Sequence, residues 1–557
     1  MNDQETSRLL PREDPTDSFD EDERRLLKQE AIKQNRRERN RMILCLSLAI
    51  ILTSSAVAFT FFFAKVSLGR SRNVIMMVSD GFGPASETYA RSYYQYVNNL
   101  KEDYMTPLDE ILVGSSRTRS SSSLVTDSAA GATAFSCALK TYNAAIGVDS
   151  NGTPCGTILE AAKELGMLTG LVVTSRVTHA TPASFSAHVV HRDMESEIAV
   201  HQIGDYVLNR QVDLLMGGGR CFFLPNTTEG SCRSDGRDLI NESKGFGWEN
   251  VMLNRKDFDT LNDDDDKGIP LPALGLFHPD NMNYEIDRNP SQEPSLVEMT
   301  LAALKSLQGN ARRNQGFFLM IEGSRIDMAA HDNDPVAHVH DILQYHETVA
   351  AVREFISENP DTLLISTSDH ETGGFTLGLQ TDPKTYPDYI WKPEVIAKAK
   401  SSTEVLTRQI IEFQKQRHGK GDNKAAQEFV KTQILEKGLG ITDATDDEIT
   451  FLADPKSLPI DIVPFLGRAI SHRANLGWTT IGHTGVDVNL YADGDSDGYK
   501  GLKGNHENTD IGVAMSKYLN VDLRFITRKL ARGADKWFKP KRGFWDTQLG
   551  RHEETGH

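Results

Sequence analysis

At 557 residues, 39% hydrophobic and 25% charged, the chain has ample apolar material for one large domain with insertions or for several small ones. Its 78 acidic and 61 basic residues, net charge −17, argue against a nucleic-acid partner, which favours basic surface. So acidic a chain binds phosphate only with help from metal ions or a local arginine.

Residues 1–41 are polar, with an acidic patch at Asp20–Glu23 and a basic stretch after it, and are expected to form a mostly disordered cytosolic tail. Within it "ETSRLL", Glu5–Leu10, resembles the acidic dileucine signal that sorting adaptors recognise. Next comes an uncharged run, Met42–Ala64, long enough to cross the ~30 Å hydrocarbon layer as a helix. The 41 residues ahead of it and the length of its apolar core fit a signal anchor better than a cleaved signal peptide. Arg24, Arg25, Lys28, Lys33, Arg36, Arg37, Arg39 and Arg41 precede the run, whereas the equal stretch after it holds only Lys65, Arg70 and Arg72. That asymmetry predicts a type II membrane protein, N-terminus in the cytosol and residues 65–557 on the lumenal side.

Beyond the anchor, strand-length apolar runs stop at polar or glycine-rich turns: "NVIMMVSDG" from Asn73, "LTGLVVTS" from Leu168, "VDLLMGGG" from Val212, "GFFLMIEGS" from Gly316 and "TLLISTSDH" from Thr362. Such runs read as parallel strands buried on both faces. Helical patterns separate them, as in "GTILEAAKEL" and "PVAHVHDILQYHETVAAVREFI". Strands alternating with helices define an α/β fold with a mostly parallel sheet covered on both sides. Residues 65–525 are expected to form this lumenal domain, with a helical insertion at about 393–455, and 526–557 a C-terminal tail of unknown role. Excluding Cys45 in the anchor, four cysteines remain, with three possible pairings. The sequence-local one, Cys137 with Cys155 and Cys221 with Cys232, is preferred, with four buried thiols as the alternative. Asn151, Asn226 and Asn241 head glycosylation sequons.

Three of the strands end in a carboxylate: Asp80, Glu322, and Asp369 followed by His370. The carboxyl ends of strands face the binding crevice of an open α/β sheet, so the three acids should converge. Converging acids stay ionised only beside positive charge, and metal ions supply it economically. "RIDMAAH" adds Asp327 and His331, four apart and on one face of a helix or turn, and "GHTG" adds His483. Asp327, His331 and His483 suit a catalytic zinc with an open position, and Asp80, Asp369 and His370 form a second such set. In "SLVTDSAAGATAFSCALK", Ser128 heads a helix of small residues, whose N-terminus offers free N–H groups to an anion.

Together, "VSDGFG", "VTDSAAGATA", "THATPASFSAHVVHR", "IEGSRID", "SDHETGGF" and "HTG" resemble the motifs of the metal-dependent alkaline phosphatase family, in that family's order over roughly residues 72–520. With the anchor and the dileucine-like tail, the chain is most similar to the family's fungal vacuolar membrane-anchored members. The resemblance implies a three-layer fold and a broad phosphomonoesterase activity through a phosphoserine formed on Ser128. It implies two Zn2+ and one Mg2+: Asp327, His331 and His483 on one zinc, Asp80, Asp369 and His370 on the other, and Asp80, Thr181 and Glu322 on magnesium. Arg192 would grip the phosphate, positioned by Asp127. A homodimer, a vacuolar membrane location, and small phosphate monoesters and phosphoproteins as substrates follow from the same resemblance. One position departs from the family pattern: Met328 stands where bacterial members usually have Lys and many eukaryotic ones His, whereas His179 matches the animal type. A sulfatase or phosphodiesterase is the rival within the superfamily, and a silent scaffold the rival outside it; "SAAGA" at Ser128 lacks the Cys/Ser-x-Pro-x-Arg setting typical of sulfatases.

Overall fold

The strand Asn73–Val78 is buried at every position, and its side chains alternate between two cores. Ile75 and Met77 face one, Val74, Met76 and Val78 the other, as the two-residue period of a pleated strand requires. This computed structural model describes residues 21–67, 72–264, 266–312, 315–416 and 423–538. The chain divides into two units, residues 1–70 and 71–557.

In the second unit ten strands form one sheet: β1 Asn73–Val78, β2 Leu112–Arg117, β3 Leu168–Arg176, β4 Leu214–Gly218, β5 Asn250–Met252, β6 Ala273–Leu276, β7 Phe317–Glu322, β8 Thr362–Thr367, β9 Val488–Gly494 and β10 Gly504–Glu507. Their spatial order is β10-β2-β9-β8-β1-β7-β3-β4-β6-β5. Only β9 runs against the rest, antiparallel to both β8 and β2. Helices cover both faces, giving three layers. Tyr89 and Tyr93 of Pro84–Val97, Met299 and Leu307 of Leu296–Asn310, and Val339 and Val349 of Pro335–Glu358 pack into one core. Ala132 and Phe135 of Ser128–Cys137, Leu159 of Ile158–Glu164 and Met515 of Asn508–Leu519 pack into the other. Each large apolar side chain buried this way contributes about 1.5–3 kcal/mol over its exposed state.

The helical insertion runs further than expected, through Pro393–Ile396, Thr403–Gln416, Asn423–Phe429, Val430–Gly438, Asp446–Ala453 and on to Pro459–Arg473. A two-stranded ribbon, Thr376–Leu377 with Leu476–Gly477, closes its base. The sequence obscures this last helix because Pro459 and Pro464 read as breakers. Pro459 takes the first helical position, where no N–H is missed, while Pro464 is accommodated inside the helix. Cys137 pairs with Cys155 and Cys221 with Cys232. Residues 523–538 pack on the same unit: Ile526 and Leu530 are buried with Ala161 and Tyr206, and the Trp537 ring lies against His201 and Tyr206.

In the first unit residues 21–67 are one helix, Glu21–Ser67, so residues 21–41 depart from the expectation of disorder. Their Glu, Gln, Lys, Arg and Leu content favours helix. The dileucine-like Glu5–Leu10 lies outside the described residues. Met42–Ala64 falls within this helix, but the side chains of Leu52 and of residues 54–67 are outside those described. Among the described residues no helix is long and apolar enough to cross a membrane.

Candidate metal centre and active site

Adjacent strands bring the acids together. β8, β1 and β7 are neighbours, and Val78 is in register with both Thr367 and Glu322. Two residues beyond β1 comes Asp80, two and three beyond β8 come Asp369 and His370, and β7 itself ends in Glu322. All four are fully buried. Gly81 lets the chain turn away at φ +73°, because a Cβ there would lie 2.6 Å from the Asp327 Cα.

Three groups of side chains are placed to hold a cation: Asp327, His331 and His483; Asp80, Asp369 and His370; and Asp80, His179 and Glu322. The first two are the sets read from the sequence. The third contains the expected Asp80 and Glu322 with His179 beside them. Thr181, the remaining expected ligand, is buried, and its Oγ1 has no hydrogen-bond partner.

The tautomers are fixed from behind. His331 Nδ1 is 2.5 Å from the Ile481 carbonyl, His483 Nδ1 is 2.8 Å from the Thr126 carbonyl, and His370 Nδ1 is 3.1 Å from Thr372 Oγ1. The Thr372 hydroxyl donates to Asp327 Oδ1 at 2.5 Å, so its oxygen is free to accept from His370. Each imidazole therefore carries a proton on Nδ1 and aims Nε2 inward, as metal-binding histidines do. His331 Nε2 and His483 Nε2 are 3.1 Å apart; Asp327 raises His331 to about 9, so its Nε2–H donates to His483 Nε2 until a metal takes that proton's place. His331 Nε2 lies 3.3 Å from Asp327, and His370 Nε2 lies 3.5 Å from Asp80 and 3.3 Å from Asp369.

Electrostatics agree. Burial pushes Asp80 well above the usual carboxylate range, and the charges of Asp369, Asp327 and Glu322 push it further. Burial likewise raises Glu322 and Asp369 to about 7 each. Both Asp80 oxygens, Asp369 Oδ2 and Glu322 Oε1 are buried without a hydrogen-bond partner. Orphaned acceptors at this density are costly, and divalent cations satisfy them. The donor set, carboxylates and imidazoles without thiolate, fits such ions.

Ser128 stands against the second set, its Oγ 3.1 Å from His370 Nε2. It opens the helix Ser128–Cys137, capped by Asp127, whose Oδ1 accepts from the Ala130 N–H at 3.0 Å. Asp127 Oδ2 accepts from the Ala144 N–H at 2.9 Å and from Arg192 Nη1 at 3.2 Å. Arg192 Nη2 is 3.0 Å from His179 Nε2. The helix is made of small residues because it passes close to the ligands: a Cβ on Gly131 would lie 2.8 Å from the Asp369 Cβ.

Two features escape sequence reading. Thr372 links His370 to Asp327, yet a hydroxyl two residues after a histidine is no signal. Arg325, buried and stacked 3.6 Å above the Tyr284 ring, donates to Glu404 of the insertion at 2.6 Å and to Met328 Sδ at 3.1 Å. Met328 is thus held by Arg325 and packed against Tyr284 and Ala329.

A mostly parallel three-layer fold, with three cation-capable groups and a capped serine at one end of the sheet, defines the class of metal-dependent phosphoester hydrolases. The alkaline phosphatase family model matches residues 71–521, and the chain belongs to that family, whose members are metal-dependent phosphoric monoester hydrolases. It is 47% identical over 501 residues to the repressible alkaline phosphatase of Saccharomyces cerevisiae, covering 87% of this chain and 88% of that one. It is 48% identical over 488 residues to the alkaline phosphatase of Schizosaccharomyces pombe, with the same coverage. Among solved structures it is similar to the cold-active alkaline phosphatase of a psychrophilic Shewanella, with TM-score 0.66, 30% identity, and 80% of this chain and 99% of that chain covered. The Thermus thermophilus alkaline phosphatase also gives a TM-score of 0.66, at 28% identity, with 82% and 92% covered.

Proposed function

We propose that this phosphomonoesterase acts through a phosphoserine on Ser128 and carries two Zn2+ and one Mg2+. Asp327, His331 and His483 would hold one zinc, Asp80, Asp369 and His370 the other, and Asp80, Thr181 and Glu322 the magnesium, with His179 beside it. The carrying observation is the convergence of His331 Nε2 and His483 Nε2, 3.1 Å apart and beside Asp327, with each ring backed at Nδ1 by a backbone carbonyl. A divalent cation would take the place of the proton those two nitrogens share.

Divalent ions held by these residues would supply positive charge where negative charge develops on the reacting oxygens. The chain does the rest. Ser128 Oγ forms a bond to phosphorus as the ester P–O bond breaks and the alcohol leaves with a proton. Water then cleaves the phosphoserine, releasing phosphate and restoring the hydroxyl. Arg192 holds two phosphate oxygens through its planar fork, and Asp127 sets its position. Small phosphate monoesters fit best, with phosphoproteins as a larger class of the same chemistry, because little beyond the phosphoryl group is gripped.

We further infer a type II membrane protein of the vacuole, anchored through Met42–Ala64 with the catalytic unit in the lumen, sorted through Glu5–Leu10 and dimeric. The charge asymmetry around the run supports the topology, and two disulfides suit an oxidising lumen. Asn151, Asn226 and Asn241 are all exposed, as glycosylation requires.

The test is aryl phosphate hydrolysis at alkaline pH by the full chain, with and without a chelator, beside Ser128→Ala. Activity should vanish with either change, and acid-quenched wild-type protein should carry phosphate on Ser128. Turnover insensitive to both changes rejects the mechanism.

A further inference from the structure

Four aliphatic side chains stand in solvent beside the site: Leu124, 74% exposed, Val125, 39%, Ile481, 52%, and Val486, 45%. They belong to two segments that the site draws together. The Thr126 carbonyl is bound by His483, the Ile481 carbonyl by His331, and a Cβ at Gly485 would come within 3.2 Å of the Leu124 carbonyl and 3.7 Å of Val125 Cγ2. Neither Ser121–Thr126 nor Trp478–Val486 contains Asp, Glu, Lys or Arg, in a chain that is 25% charged. Grouped, exposed apolar side chains at the edge of a polar site mark a binding surface.

The depth of the ligands gives the direction of substrate entry. The His370 side chain, next to Ser128, is fully buried; that of His483 is 12% exposed and that of His331 38%. In an in-line displacement the attacking and departing oxygens lie on opposite sides of phosphorus. With Ser128 on the inner side, the alcohol leaves outward over His331 and His483, past the four aliphatic residues.

We propose that Leu124, Val125, Ile481 and Val486 form an apolar collar for the alcohol half of the substrate, selecting monoesters of aryl or long alkyl alcohols over those of polyols. This rests on the mechanism proposed above and adds the substrate class to it. An absence of charge in both segments favours such alcohols, because nothing there could pair with an ionised one.

The experiment compares kcat/KM for 1-naphthyl phosphate and glycerol 2-phosphate in the metal-loaded full chain, its Leu124→Ser/Ile481→Ser variant and its Leu124→Ile/Ile481→Leu variant. The naphthyl-to-glycerol ratio should fall about 5–10-fold in the serine variant and stay within about twofold of wild type in the aliphatic one. Calorimetry on Ser128→Ala, with 1-naphthylmethylphosphonate against methylphosphonate, should show a more negative heat-capacity change for the naphthyl compound, and the added serines should remove that difference. An unchanged ratio, or an equal loss on both esters accompanied by a change of oligomeric size, overturns the collar and leaves the mechanism standing; the second result makes the patch a contact between copies of the chain. Failure of the wild-type protein to hydrolyse either ester, or hydrolysis of both by Ser128→Ala, overturns the mechanism and the collar together.

Discussion

Gly131→Ala should impair catalysis although it improves helix propensity. In an exposed helix this change stabilises by about 1 kcal/mol. Gly131, however, lies inside Ser128–Cys137 where that helix passes Asp369, and the new methyl carbon would sit 2.8 Å from the Asp369 Cβ, about 0.6 Å inside the 3.4 Å limit of ordinary contact. Asp369 cannot retreat freely, being fully buried at the end of β8. Overpacking of this kind costs about 1–3 kcal/mol, so the net effect on stability is a loss of about 0–2 kcal/mol. The larger effect falls on geometry. Shifting Ser128 or Asp369 by half an ångström or more should lower kcat/KM about 10–100-fold, since about 1 Å of misplacement costs about 100-fold. Aryl phosphate kinetics, zinc content and urea denaturation on the same preparation separate the two effects. A variant that is more stable than wild type and equally active would refute the claim that this helix is built of small residues to approach the ligands.

Asp127→Ala removes both the helix cap and the Arg192 partner; stability should fall by about 0.5–2 kcal/mol and KM should rise, read by denaturation and steady-state kinetics. Met328→His replaces a weak sulfur acceptor held by Arg325 with an imidazole, and the inhibition constant for inorganic phosphate should change, whereas identical constants make the position silent. His201 is pushed down to about 3 by burial, then by His188, and its Nδ1 accepts from the His188 N–H at 3.2 Å. Because the neutral form is the folded one, its contribution is complete above pH 6.5 and is lost as pH falls toward 3. The full loss is on the order of 4 kcal/mol, so the drop in urea midpoint between pH 7 and pH 5 should be smaller in His201→Gln.

The strands legible in the sequence, β8, β1, β7, β3 and β4, form one contiguous block at the centre of the sheet. Buried on both faces, they are written as unbroken apolar runs. The five overlooked strands lie outside that block: β5 and β6 are short, β2 and β10 carry glycine and polar residues, and β9 breaks the parallel rhythm. Both groups of candidate metal ligands read from the sequence lie together, and Asp80 and Asp369 were legible because a carboxylate just beyond a buried strand advertises itself. Arg325 and Thr372 did not, since each acts through partners far away in sequence, Glu404 and Asp327. The continuous helix from Glu21 was hidden by the charge density of residues 21–41, which resembles that of a disordered tail.

β9 has a kinetic meaning. It is the ninth strand of this sheet in chain order yet lies between β2 and β8, so β2 and β10 reach the rest of the sheet only through it. Until the ribosome has delivered Val488–Gly494, that wing has nowhere to dock. A nascent chain that lacks this segment is therefore catalytically mute, and hydrolysis begins only when it inserts. Pairing across such long sequence separations is slow, which makes this insertion the step where maturation should stall. Chains halted before Val488 should bind no zinc, as metal analysis of truncated products would reveal.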